Sequence, residues 1–388
     1  MTIGIIADSP LLTSGFGVEA YQVATALAEA GHDVACFGLK GDPNDDATGL
    51  PFRIRNVNVL EPWNTELQDF LLRERPAKVI ILIDLFNLRE IMLYLQEAAW
   101  TRETIVFLTP DGLPAYDAYL DALRAAKFCV VTTETTRRYL TSRAIVPYGI
   151  APSGVDRNVF IPMPERDELR RRAGLSDRFV IGVFGRNCER KQQPRVLQAL
   201  ALLADPDVVV YFHCNKQGYW RLDEVARDLG VGSQVIFSGI DQEERGVPTH
   251  TNVLPAADAS SHEVLWSYGY VQRMNCCDVV INAAHSGDVE HIILEAQSCG
   301  IPLLHTDDQG IMREAVGDGG RLLQPADTGW GRIGERIYMV DPSDMAQSIR
   351  TLKDDPALRS ELQARGFENV KKYSWSRLRE IMVEIAAG

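Results

Sequence analysis

The sequence of 388 residues contains no apolar run that approaches the roughly 20 residues needed to span a bilayer. Positive charge is also scarce, because 40 Lys and Arg residues stand against 53 Asp and Glu residues, for a formal net charge of −13 at pH 7. Such a balance repels a polyanion, so strong general binding to nucleic acid or to an anionic membrane is not expected. The N-terminal half also lacks a basic amphipathic face that would hold a membrane surface.

Cysteine pairing and metal-ligand spacing are absent as well. The seven cysteines are an odd number, and several lie in or beside apolar segments. This usage indicates reduced, buried thiols in a cytoplasm-like compartment. Cys276 and Cys277 are adjacent rather than spaced as CxxC, so no metal site is expected. Residues 3–7 form an apolar strand directly after Met1, rather than a signal peptide with a basic first region. We therefore expect a cytoplasmic protein.

What the sequence does contain is an alternation of short apolar segments with stretches of helical spacing. Strands are predicted at 3–7, 33–38, 79–83, 105–108 and 128–132, and again at 179–184, 208–213, 234–238, 278–282 and 301–305. Such alternation predicts an α/β protein with two doubly wound parallel sheets. The Pro- and Gly-rich segment 146–164 would connect the two halves, and a long polar stretch at 241–261 interrupts the second half.

A pair of cations follows the predicted strand 179–184. Arg186 and Lys191 occupy the loop between this strand and the next predicted helix. Open α/β sheets bind ligands beyond the carboxyl ends of their strands, and helix N-termini favour anions. A planar Arg fork and a mobile Lys suit a diphosphate. A solvated basic loop is an equally good interpretation of these residues alone, because Arg190 and Arg195 are nearby.

Candidate residues also follow strands of the first half. Gly15 and Gly17 form a GxG turn after the first strand, and a steric need for glycine explains them as well as ligand contact does. Ala20 stands where the dinucleotide fingerprint has its third glycine, so NAD is not expected. Asp84 and Asp111 each follow a buried strand at the functional edge of the sheet, although turns and helix caps are the more common role for such residues.

Several motifs, taken in order, resemble family 4 of the retaining nucleotide-sugar glycosyltransferases, which have the GT-B fold. The matching segments are Ser14-Gly-Phe-Gly17, 28–34 (AEAGHDV), 146–150 (VPYGI), 183–192 (VFGRNCERKQ), 294–304 (LEAQSCGIPLL) and 373–375 (YSW). The segment 294–304 is the most specific of them. One such match would be weak, but several in the family's order, nearly from end to end, are strong.

The resemblance implies two Rossmann-like domains that face each other across a cleft. Residues 1–155 would form the acceptor-side domain, residues 156–372 the donor domain, and residues 373–388 a helix that packs back on the first domain. The implied reaction moves a sugar from a nucleotide-diphosphate donor to an acceptor hydroxyl with retention and without a metal ion or a further cofactor. The acceptor is left open among a sugar, a lipid-linked glycan, a metabolite, a protein and a modified nucleic-acid base.

The resemblance also assigns roles to residues. Arg186 and Lys191 would hold the donor diphosphate and stabilise the charge on the leaving phosphate. Glu295 would bind the ribose hydroxyls of the nucleotide. The Gly loop, Gly15, Phe16 and Gly17, would contact the donor. On the acceptor side the candidate contacts are Asp84 and Asp111.

Two positions depart from the family's pattern. Gly287 stands eight residues before Glu295, where the family has the first of two paired Glu residues. Asp288 and Glu290 are candidate replacements that would contact the donor, although helix-capping roles explain them equally well. The family's frequent His beside Asp111 is Pro110 here. These departures leave two alternatives: a catalytically degenerate subunit that binds a nucleotide sugar, and a nucleotide-sugar epimerase or phosphorylase of the same fold.

Overall fold

The computed structural model describes residues 1–58, 63–97, 103–238 and 268–388, and the polar stretch predicted at 241–261 lies outside them. The first half contains strands β1 (Thr2–Asp8), β2 (Asp33–Leu39), β3 (Arg53–Val57), β4 (Lys78–Ile83), β5 (Thr104–Leu108), β6 (Phe128–Val131) and β7 (Gly149–Ile150). Its helices are α1 (Gly15–Glu29), α2 (Trp63–Glu74), α3 (Leu85–Glu97), α4 (Asp117–Arg124) and α5 (Glu134–Ser142). The strands form one parallel sheet in the order β3-β2-β1-β4-β5-β6-β7.

The second half repeats this arrangement. Its strands are β8 (Phe179–Phe184), β9 (Val208–His213), β10 (Val235–Phe237), β11 (Val279–Asn282), β12 (Leu303–Thr306) and β13 (Gly320–Leu323). They form a second parallel sheet in the order β10-β9-β8-β11-β12-β13. The helices described here are α6 (Arg166–Arg172), α7 (Gln193–Leu203), α8 (Leu222–Asp228), α9 (Tyr270–Asn275), α10 (His291–Ser298), α11 (Ile311–Val316), α12 (Pro342–Asp354) and α13 (Pro356–Val370). Two doubly wound α/β sheets are therefore present, as the alternation of strands and helices predicts.

Burial on both faces explains why the central strands are continuous apolar runs. All six residues of β4 are buried, as are all six of β8. Helices cover each face of each sheet, and a strand covered on both faces has no solvent side on which polar residues could alternate. In the edge strand β3 only Val57 is buried.

The last helix, α14 (Trp375–Ala387), returns to the first sheet. Its buried residues Leu378, Ile381 and Ile385 join the apolar cluster that also contains α1 and one face of this sheet. Lys78 is buried at the start of β4 and donates to the carbonyl oxygen of Ala386 at 2.7 Å, so a cation meets the C-terminal end of this helix. The predicted domain boundaries at 155 and 372 stay predictions.

A short antiparallel pair of strands stands apart from both parallel sheets. It consists of β14 (Pro325–Trp330) and β15 (Arg336–Val340) and is inserted between β13 and α12. The sequence analysis did not predict it. None of the helices in the described ranges is both long and apolar enough to span a bilayer.

Candidate functional site

The predicted cationic loop lies beyond the carboxyl end of β8. Gly185 has a φ of +126°, which an L side chain rarely adopts, so glycine allows the sharp exit from the strand. Arg186 follows with an exposed side chain. The side-chain amide of Gln192 then donates to the carbonyl oxygens of Ala283 at 2.8 Å and Tyr338 at 2.9 Å. This donor loop, residues 185–192, is therefore fixed to the segment that follows the neighbouring strand β11.

Glu290 is the partner of two of the loop's cations. Its two carboxylate oxygens accept from Arg190 Nη1 and from Lys191 Nζ, respectively. Arg190 also donates to the carbonyl oxygen of Ser286 at 2.9 Å. Glu290 is the N-cap residue of α10, although its side chain makes no cap hydrogen bond. Its carboxylate turns towards the cations instead, so the simple capping interpretation of Glu290 is wrong.

The charges of this cluster are coupled. Burial by itself would raise the pKa of the Glu290 carboxyl, but Arg190 and Lys191 hold it well below its ordinary value. Burial lowers the pKa of Lys191, and the Glu290 carboxylate opposes that effect. Breaking such a buried pair leaves an uncompensated charge, so Glu290 holds the Lys191 ammonium group in this position.

The carboxylate of Glu290 also occupies the space next to Gly287. A Cβ atom added to Gly287 would lie 2.8 Å from Glu290 Oε1 and 2.9 Å from Arg190 Nη1. A side chain at position 287 would therefore begin where the Glu290 carboxylate now meets Arg190. The acid that the family carries at position 287 is absent here, and the acid of residue 290 lies in its place.

Asp288 points to the other half of the molecule. Both of its carboxylate oxygens accept from Thr132 Oγ1, at 2.7 and 2.8 Å, just beyond the end of β6. Burial raises the pKa of Asp288 well above its ordinary value. A second such contact lies nearby, where the Glu314 carboxylate accepts from the backbone amides of Glu134 and Thr135 at 2.8 Å at the start of α5. These two acids join the two halves, and the Glu314 contact was not predicted.

The Gly loop after β1 faces the start of α10. Gly17 is required sterically, because an added Cβ would lie 2.5 Å from the Leu12 carbonyl oxygen and 2.8 Å from that of Ser9. Gly15 is different, since its added Cβ would meet only His291 Cε1, at 3.9 Å. Phe16 between them is half-buried. The turn explanation therefore holds for Gly17, while a Cβ added to Gly15 would be in ordinary van der Waals contact with the second half.

His291 was not singled out by the sequence analysis, yet it reaches across to the first half. Its Nε2 lies 3.7 Å from Glu19 Oε1 on α1, and the same carboxylate accepts from Ser153 Oγ. Burial by itself would lower the pKa of His291, but the Glu19 carboxylate raises it overall. Trp375, at the start of α14, packs edge-on against the imidazole ring at 5.7 Å. His291 stands in the first turn of this helix, directly after the candidate Glu290, and so local a signal does not reveal the contact with Glu19.

Glu295 lies one turn after His291 on the same helix. Its carboxylate accepts from Tyr270 Oη at 2.9 Å. Burial raises the pKa of Glu295, and the nearby His291 opposes that shift. The side chain thus lies on the same face of the helix as His291, and the ribose contact that the resemblance implies stays a prediction.

The two predicted acceptor-side acids have different surroundings. Asp84 caps α3, since its oxygens accept from the backbone amide of Asn87 at 2.8 Å and from the Asn87 side chain at 2.7 Å. Asp111 accepts no hydrogen bond from any residue in the described ranges. Burial raises its pKa, and Arg190 of the donor loop opposes the shift. Asp111 therefore lies within electrostatic reach of the donor loop, whereas Asp84 is a structural cap.

In the described ranges, no three His, Cys, Asp or Glu side chains are grouped as a metal site would require.

Curated proteins with similar sequences are glycosyltransferases. The D-inositol 3-phosphate glycosyltransferase of Paenarthrobacter aurescens is 25% identical over 242 residues, which cover 61% of this chain and 50% of that protein. The GDP-mannose-dependent alpha-(1-6)-phosphatidylinositol monomannoside mannosyltransferase of Mycolicibacterium smegmatis is 30% identical over 197 residues, or 47% of this chain and 50% of that protein. The chain spans about half the length of the curated relatives it matches. No family model matches the chain.

Solved structures show the same architecture over the whole chain. The crystal structure of HepE from Anabaena in complex with UDP-glucose aligns with a TM-score of 0.69 at 15% sequence identity and covers 100% of this chain and 99% of that one. At this identity the likeness establishes the fold, which is GT-B. The resemblance to nucleotide-sugar glycosyltransferases is therefore confirmed at this level: the chain has the GT-B fold and is similar in sequence to curated glycosyltransferases.

Proposed function

We propose that this chain is a retaining, metal-independent glycosyltransferase that moves a sugar from a nucleotide-diphosphate donor to an acceptor hydroxyl. One observation carries the proposal. The cations of the donor loop meet the N-terminus of α10 at the carboxyl edge of the second sheet, where Arg190 and Lys191 bind the N-cap residue Glu290. Cations beside a helix N-terminus suit a diphosphate. The reaction class of the curated relatives and the UDP-glucose bound to HepE support this donor class.

In this proposal the donor loop stabilises the leaving diphosphate. Arg186, whose side chain is exposed, meets the arriving phosphate first, and Lys191, held in position by Glu290, adds a second positive charge. A hydrogen-bond donor that is positioned next to the charge developing on the leaving group contributes about 3 kcal/mol to stabilisation of the transition state. These fixed cations supply the neutralisation that a divalent ion provides at other phosphate sites, which is the reason for proposing metal independence.

The acids near α10 take three separate roles. Glu290 replaces the missing acid of position 287 and keeps Arg190 and Lys191 oriented towards the donor. Glu295, held by Tyr270, accepts hydrogen bonds from the ribose hydroxyls. Asp288 holds the two halves together through Thr132.

On the acceptor side we propose Asp111 as the contact to the acceptor hydroxyl. Its carboxylate accepts no hydrogen bond within the described ranges, and burial raises its pKa. A hydrogen bond from an acceptor hydroxyl would therefore stabilise this carboxylate. Gly15 leaves backbone open to the donor across the cleft. The acceptor molecule itself stays open.

The compartment proposed is the cytoplasm. All seven cysteines are free thiols, and six of them are buried. Free thiols persist in a reducing compartment, which supports this assignment.

A binding subunit without turnover is the second candidate function. Gly287 favours it, because the family's first Glu is missing. The position of the Glu290 carboxylate next to Gly287 argues for an adapted site instead. A nucleotide-sugar epimerase or phosphorylase has less support, because those relatives lack the motif at 294–304.

The test is a binding and hydrolysis screen of purified protein against a panel of nucleotide sugars that includes UDP-glucose and GDP-mannose. Saturable binding of one donor with slow release of free nucleotide would support the transferase and name the donor. Tight binding without release, even with broad acceptor mixtures, would favour the binding subunit. Absence of binding to every panel member would refute the diphosphate site.

A further inference from the structure

The hairpin formed by β14 and β15, residues 325–340, touches both sides of the proposed site. It leaves the second half after β13 and belongs to neither parallel sheet. Its strands pair through Asp327–Met339, Thr328–Tyr338 and Trp330–Arg336. The turn at 331–335 is the tip, and this tip reaches the first half of the molecule.

The base of the hairpin is fastened to the donor side. The amide of Tyr338 donates to the His285 carbonyl oxygen at 2.9 Å, and Gln192 donates to the Tyr338 carbonyl oxygen at 2.9 Å. His285 in turn donates its amide to the Arg190 carbonyl oxygen at 2.9 Å. Tyr338 is therefore linked through the backbone of His285 to the backbone of Arg190, whose side chain pairs with Glu290.

The tip is fastened to the acceptor side. The amide of Tyr116 donates to the Ile333 carbonyl oxygen at 2.8 Å, and the amide of Arg336 donates to the Leu113 carbonyl oxygen at 3.1 Å. The Ile333 side chain is only 4% exposed, because it enters the apolar core on one face of the first sheet. Arg332 beside it lies over the Phe86 ring, 3.3 Å from its centre.

The loop that carries Asp111 is enclosed between these attachments. A Cβ atom added to Gly112 would lie 3.0 Å from Glu335 Cβ of the hairpin and 3.1 Å from Ser286 Cβ of the donor side. Glu335 turns its carboxylate back to accept from the Ile333 amide at 2.9 Å, which stabilises the tip in this shape. The acceptor loop, residues 109–116, thus has the hairpin on one side and the donor-side segment on the other.

We propose that the hairpin couples the two halves of the site, and that Ile333 is a positioning residue that holds the acceptor loop and its Asp111 against the donor loop. The inference rests on the proposed function for the identity of the two sides. A nucleotide bound at the donor loop fixes the base of the hairpin, and the docked tip then fixes the acceptor loop. Binding and docking are linked, so each strengthens the other by the same factor.

Hydrogen exchange of the full-length protein, followed by mass spectrometry on peptides that contain Tyr116, tests this inference. The probe is UDP or GDP, whichever the donor panel selects. In the wild type, the nucleotide should slow exchange in the acceptor loop. In Ile333→Ala, exchange should be faster by at least about tenfold and the nucleotide response should vanish. The Kd of the nucleotide should be higher in Ile333→Ala than in the wild type. The ratio of the two Kd values should equal the factor by which the nucleotide slows exchange in the wild type.

Two further variants separate docking from general stability. Arg332→Ala removes an exposed contact of the tip and leaves no cavity in the core. It should also make exchange in the acceptor loop faster, by a smaller factor than Ile333→Ala. Ile385→Ala removes an equally buried isoleucine from the opposite face of the same sheet and should leave the nucleotide response intact.

A nucleotide that binds the wild type without changing acceptor-loop exchange would overturn the inference, and so would a loop that stays protected in both tip variants. A nucleotide response lost equally in Ile385→Ala would also overturn it, because the effect would then be a general loss of stability. Failure of every nucleotide to bind the wild type would instead refute the proposed function, and that result appears before any variant is made.

Discussion

Gly287→Glu restores the residue that family 4 carries at this position, and we expect it to lower activity. The new side chain must leave a Cβ that lies 2.8 Å from Glu290 Oε1 and 2.9 Å from Arg190 Nη1. Two carboxylates about 4 Å apart repel each other by about 4 kcal/mol at an effective dielectric constant of 20, and Arg190 offsets a part of this. A net loss of about 2–3 kcal/mol would lower kcat/KM by roughly 30- to 150-fold.

The assay is nucleotide release from the donor that the panel identifies, with Gly287→Ala as the steric control. Gly287→Ala adds the crowding without the charge and should lose less activity. The double variant Gly287→Glu with Glu290→Gly moves the acid back to the family's position and should recover much of the loss. A single Gly287→Glu variant that gains turnover would refute the reasoning, because the site would then be degenerate and not adapted.

Arg186→Ala and Lys191→Ala should each lower turnover at least about tenfold, and wild-type nucleotide release in both would refute the diphosphate assignment. Gly17→Ala should lower the free energy of unfolding in urea by about 1–3 kcal/mol, because its Cβ would press on two carbonyl oxygens. Gly15→Ala should leave that free energy nearly unchanged, and equal effects of the two variants would contradict the steric explanation. The pKa of His291 is raised in the folded protein, so its contribution to stability is complete below the ordinary pKa of 6.5 and is lost as pH rises through the folded value. His291→Gln should therefore cost more stability at pH 5.5 than at pH 8.5, and a cost independent of pH would rule out the ionic contact with α1.

The sequence predicted the sheets well because their strands have a strong local signal. The segments at 79–83 and 179–184 coincide with β4 and β8, whose residues are all buried. β3 was not predicted, because only one of its five residues is buried and its pattern is polar. The hairpin was missed for a similar reason, since among its eleven strand residues only Val340 is fully buried.

The position of the donor loop was predicted, but the pairings of its side chains were not. The loop lies beyond β8, as the predicted strand 179–184 and the helix after it indicate. The partner of Lys191 is 99 residues away in sequence, and the partner of Asp288 is 156 residues away. Local patterns carry no information about which distant acid meets which cation, because the folded topology decides that. Asp84 illustrates the opposite case, where the common role of a helix cap is the one found.

The return of α14 to the first sheet has a consequence for biosynthesis. Residues 375–387 cover one face of that sheet together with α1, and the bond between Lys78 and Ala386 spans 308 positions in sequence. While the ribosome is still making the second half, the part of this face that α14 covers in the folded protein stays exposed. Closing so long a loop is slow compared with forming local contacts. The nascent chain therefore keeps this apolar surface exposed until α14 has been synthesised.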